Sequence, residues 1–169
     1  GEVRSVVNSA FGEGRFFFGA GGSILNSIIQ DDANETDHAD LDALLTKFNN
    51  AVNSVFDLEE EAGEIKVFGE TASLHLSMEP GHDYEVKPAD SPLFLRLADV
   101  AEEKNIPIDI HIDVVVGAGI DTPDYFIERS PDLNPETLDN NIIAFKAMLE
   151  YNENAKIVLV HVGRDTTGM

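Results

Sequence analysis

The chain has 169 residues, 43% of them apolar, and sets 32 acidic against 11 basic side chains for a formal charge of −21. This length allows one domain with a real core, and the apolar fraction is too high for a disordered chain. A chain so acidic, with no basic stripe, argues against nucleic-acid binding; the lack of cysteine excludes disulfides and thiolate zinc sites, and no run is long and apolar enough to cross a bilayer.

The sequence does not open with a basic segment followed by an apolar one, so the expectation is a cytoplasmic protein that binds no membrane. Its acidity is spread along the chain. Halophilic proteins use such a surface, and an ordinary acidic cytoplasmic enzyme is the equal alternative.

In chain order, Arg15 to Ala20 reads as a short strand ending in glycines. The cluster Gly19-Ala20-Gly21-Gly22-Ser23 lacks the Lys-Ser/Thr and the third spaced glycine of a phosphate loop, so it predicts no nucleotide site. Asp37 is placed to cap a helix from about Ala39, with Leu41, Leu44, Leu45, Phe48, Val52, Val55 and Phe56 as its apolar stripe and Gly63 as its stop. His38 falls at that helix start. Ile65 to Leu76 reads as a strand containing Gly69-Glu70, and Ser77 to Asp90 as a polar loop holding His82. Ser91-Pro92 is a cap-plus-proline helix start, with Leu93, Phe94, Leu97, Ala98 and Ala101 buried and Lys104-Asn105 at the end.

Pro107 opens a strand of strict alternation. Ile108, Ile110, Ile112 and Val114 point one way, and Asp109, His111 and Asp113 the other. Gly117 to Leu133 reads as a long loop. Asn134-Pro135 repeats the cap-plus-proline signal and predicts a helix lined by Leu138, Ile142, Phe145 and Leu149. Lys156 to Gly163 is the last strand, with His161 near its end, and Gly163 to Met169 a terminal loop.

The order is β-α-β-α-β-α-β, the pattern of a parallel sheet with crossover helices. Loops after strands are long and loops before them short, which puts the working face at the C-terminal strand ends. His111 and His161 stand there on successive strands. Imidazole serves as a metal ligand and as a general base. Glu70 can ligate a metal or hold a water molecule. His75, five residues on, falls on the opposite face of an unbroken strand, or in a loop reaching over the site. Arg164 and Asp165 are candidates for substrate contact.

Four segments carry a resemblance: Phe68 to Ser77, Pro107 to Asp113, Asn140 to Phe145, and Ala155 to Gly168. Together they resemble the amidohydrolase superfamily, in particular the amidohydrolase-related metal-dependent hydrolases, which include lactonases and decarboxylases. The resemblance implies an α/β fold of parallel (β/α) units forming part of a TIM-type (β/α)₈ barrel, with about four strands present and residues 1–169 as one partial-barrel domain. A full barrel needs about 250 residues, no His-x-His pair occurs, and the match covers about strands three to six. An internal piece with an incomplete metal site and impaired turnover is therefore expected.

By the same resemblance, His111 and His161 are metal ligands, with Glu70 assisting. His161 and Glu70 are catalytic on that resemblance, and the residues' own positions add Asp165 as catalytic and Asp113, Arg164 and His75 as substrate contacts. The cofactor is a divalent ion, zinc first and manganese second. The substrate is a small carboxylated lactone, amide or related acid, with decarboxylation as the close variant. The alternative is a non-catalytic truncated α/β domain, stable or functional only as a homo-oligomer whose partner covers the open sheet.

Overall fold

A computed structural model describes residues 2–12, 19–34, 41–57 and 65–160. The elements are α1 (Glu2–Phe11), β1 (Gly19–Gly21), α2 (Gly22–Asn34), α3 (Leu41–Asp57), β2 (Val67–His75), β3 (Glu85–Val86), α4 (Pro92–Lys104), β4 (Ile108–Ile112), β5 (Ile120–Asp121), α5 (Asp124–Arg129), β6 (Thr137–Leu138), α6 (Ile142–Tyr151) and β7 (Ile157–Val160). Arg15 to Phe18, Asp37, His38 and Gly63 lie outside the described residues.

The main sheet runs β1-β2-β4-β7, and each neighbouring pair is parallel. β3 pairs antiparallel with the end of β2, Leu74 opposite Val86 and His75 opposite Glu85. The alternation in β4 does what its pattern dictates. Ile108, Ile110 and Ile112 are buried in one cluster with Leu25 and Ile29 of α2, Phe48 and Val52 of α3, Phe94 and Leu97 of α4, and Met148 of α6. Four helices thus cover one face of the sheet. The opposite face of β4 carries Asp109 and His111, both only partly buried. This is a mixed α/β fold with parallel strands alternating with helices.

α4 ends as its sequence predicts. Asn105 takes a left-handed conformation at φ 55°, and the Ile106 amide donates to the Ala101 carbonyl at 3.0 Å, closing the helix. Its start differs in one respect. Ser91 occupies the N-cap and Pro92 the first turn, but the Ser91 hydroxyl makes no cap bond and is buried without a partner.

Three other expectations are corrected. The loop after Ser77 contains β3, and the loop after Gly117 contains β5 and α5. Asn134-Pro135 does not start a helix. Thr137 and Leu138 form β6 against β5, and the helix begins at Ile142. The reason lies in the Asn134 side chain, which is taken up by another segment. Its oxygen accepts from the Ser77 amide at 2.8 Å and its amide donates to the Ser77 carbonyl at 2.9 Å. Leu138 accordingly joins a second apolar cluster with Leu74, Leu76 and Val115, beneath the loops.

Candidate functional site

β1 pairs only with Val67 to Gly69 and β3 only with Leu74 and His75, so the middle of β2 lacks a ladder partner on that edge. Asn26 and Gln30 of α2 supply one. The Ala72 amide donates to Asn26 Oδ1 at 2.8 Å, and Gln30 Nε2 donates to the Ala72 carbonyl at 2.7 Å. Asn26 also donates to Glu85 Oε1 at 2.7 Å. These bonds fix α2, β2 and β3 around a cleft of about 570 Å³ at the C-terminal ends of the strands.

Glu70, His75, His111 and Asp113 meet in that cleft. His111 Nδ1 lies 2.7 Å from Glu70 Oε1, and His111 Nε2 lies 3.6 Å from Asp113 Oδ2. The first is a hydrogen bond; the second is an ion-pair distance too long for one. Burial works against the charged imidazole, but the Asp113 and Glu70 carboxylates outweigh it and raise the His111 pKa. Burial also penalises the Asp113 carboxylate. His111 and the Leu76 amide, which donates to Oδ2 at 2.8 Å, more than offset this and lower its pKa. Asn141 steadies the same segment, donating to the Asp113 carbonyl at 2.8 Å and accepting from the Val115 amide at 3.0 Å.

His75 is the last residue of β2. Its ring packs edge-to-face on His111 with centroids 4.4 Å apart, and on His82 at 4.3 Å. Burial, then His111 and His82, lower its pKa. His75 reaches the site as the loop reading expects, lining the same cleft as Glu70, but it does so as a strand residue and not from a loop. The pairing of β2 with β4 shifts register between Phe68 and Thr71 and again between Ala72 and Leu74. Such irregularities break the two-residue alternation and re-aim the side chains that follow.

Two glycines allow the close approach. A Cβ on Gly22 would sit 2.5 Å from the Glu70 amide nitrogen, and one on Gly69, at φ +143°, would sit 2.4 Å from Asp109 Cβ. Asp109 does not line the cleft; burial, and then Glu70, push its carboxyl pKa up.

His161, Arg164 and Asp165 lie outside the described residues. His82, Glu85, Met78 and Phe126 line the cleft without having been singled out for it. The only sequence signal was their position in long loops that follow strands.

The described donors do not by themselves make a site for a metal ion. Both nitrogens of His111 face carboxylates, and among the described residues no group of three or more His, Asp or Glu side chains is placed to hold one. No helix of the described residues is long and apolar enough to cross a membrane. Comparison with protein-family models, curated proteins and solved structures found no match.

Proposed function

We propose that the cleft is the site of a hydrolase of the amidohydrolase type, acting on the carbonyl group of a small lactone or amide. The observation that carries this reading is the line Asp113, His111, Glu70. An imidazole whose pKa the flanking carboxylates raise is held between them at the C-terminal ends of parallel strands, and the outermost carboxylate faces the cleft. The Glu70 side chain is 42% exposed against 12% for His111, so Glu70 is the group a substrate water can reach.

In this reading Glu70 accepts a proton from water as the water oxygen bonds to the substrate carbonyl carbon. His111 orients Glu70, and Asp113 holds His111 in its charged form. The proton then passes from Glu70 to the leaving oxygen or nitrogen as its bond to carbon breaks. The lineage reading also carries a divalent ion, zinc or manganese, with His161 as a ligand beyond the described residues, and a TIM-type barrel of which these strands are a part.

The test is hydrolysis of a panel of lactones and amides by the full chain, with and without added zinc or manganese. Turnover that falls about 100-fold in Glu70→Gln supports the reading. No turnover under any condition, or full activity in the variant, defeats it.

A second reading, assembly as a homo-oligomer, is favoured by β7. This strand ends the described sheet with only one neighbour, and Val158 on it is 46% exposed. Apolar edge strands invite pairing with another chain. A monomer by light scattering at micromolar concentration would sink it.

A further inference from the structure

Two chemically different sets of residues line the cleft. One is Glu70, Asp83, Glu85 and Asp113 with the imidazoles. The other is the partly buried Met78 and Phe126 with the fully buried Leu76. We propose that the cleft takes a small neutral carbonyl compound whose apolar substituent rests against Met78 and Phe126, in preference to a carboxylated one. The proposal rests on the hydrolase reading above and narrows its substrate.

Charge sets the first half of the argument. Among the described residues no lysine or arginine lines the cleft, whereas four carboxylates do: Glu70, Asp83, Glu85 and Asp113. The His111 ring is already engaged at 2.7 Å by Glu70 and faces Asp113 at 3.6 Å. His75 is pressed between two other imidazoles, which disfavours a further positive charge on it. An incoming carboxylate would meet surplus negative charge in a recess that screens it poorly.

Packing supplies the second half. Leu76 and Met78 come from the loop after β2, and Phe126 from α5, an excursion inserted after β4. Phe126 packs against Leu74, Leu76, Val115 and Leu138, so the apolar wall is backed by a buried cluster. An apolar group of the substrate would cover this wall while its carbonyl lies near Glu70.

The experiment is a calorimetric titration of the full chain with two non-hydrolysable ligands. One is a phenyl-substituted γ-lactam, and the other is the same lactam with a carboxylate on the ring. The neutral ligand is expected to bind at least about tenfold more tightly. Met78→Ala and Phe126→Leu should each weaken it about three- to tenfold. Met78 lies outside the buried cluster, so its variant keeps the test valid if Phe126 proves necessary for folding. Equal or tighter binding of the carboxylated lactam overturns the proposal, as does binding of neither, or affinity for the neutral ligand unchanged in Met78→Ala and any folded Phe126→Leu. Selective binding of the neutral ligand with no hydrolysis of any lactone would defeat only the hydrolase reading. Hydrolysis without the preference would defeat only this narrowing.

Discussion

His111 gives the site a pH signature. Its pKa lies above the ordinary 6.5 despite burial, because Asp113 and Glu70 stabilise the charged ring. A raised folded-state pKa contributes stability that is complete below the unfolded value and is lost as pH rises through the folded one. His111→Gln should therefore lower the melting temperature most near about pH 6 and least above about pH 9. Asp113, with its lowered pKa, stays ionised across that window. Thermal melts of both proteins across the range check this, and a deficit that grows with pH refutes it. Gly22→Ala is a steric counterpart. Its Cβ would lie 2.5 Å from the Glu70 backbone nitrogen and 2.6 Å from the Gly69 carbonyl, where no flexible side-chain end can give way. It should cost about 1–3 kcal/mol and displace Glu70; a denaturant titration and the hydrolysis assay read the two effects.

Among the elements, α4 and the excursion from Gly117 to Leu138 test how local signals combine with packing. An N-cap serine usually contributes about 1 kcal/mol through its side-chain bond. The Ser91 hydroxyl makes no such bond and is buried without a partner, so Ser91→Ala should change stability by less than about 0.5 kcal/mol or raise it. A loss of a full kilocalorie per mole in urea unfolding would show that the hydroxyl caps the helix after all. Asn134 is the opposite case. Its side chain ties Ser77 from both sides and reaches the Phe126 carbonyl at 3.2 Å. Asn134→Ala should cost about 2–3 kcal/mol and free the excursion that carries Phe126. Faster proteolysis between Gly117 and Leu138 is the expected readout.

For the whole molecule, the formal charge of −21 sets the terms. Self-repulsion opposes the compact state and salt screens it. If the acidity is of the halophilic kind, the unfolding midpoint should rise steadily from about 0.05 M to about 1 M potassium chloride. A flat response assigns the charge to solubility alone. Core and charge are segregated. The helices and the isoleucines of β4 form one apolar body, while the other face of the sheet gathers the histidines and carboxylates at the strand ends.

Much of this was legible in order along the chain. Ile108, Ile110 and Ile112 against Asp109 and His111 named both the core face and the site face of β4, because alternation is a property of the strand itself. Ser91-Pro92 and Asn105 bounded a helix, because turn and cap chemistry acts within a few residues. The loop lengths pointed to the C-terminal strand ends. Tertiary structure alone decided that His75 reaches the cleft of Glu70 from within a strand and not from a loop, since that depends on register shifts against a strand some forty residues away. It alone turned Asn134 from a helix cap into a tie between loops, and brought His82, Met78 and Phe126 to the cleft. Short-range periodicity carries no information about which distant segment will compete for a side chain's hydrogen bonds.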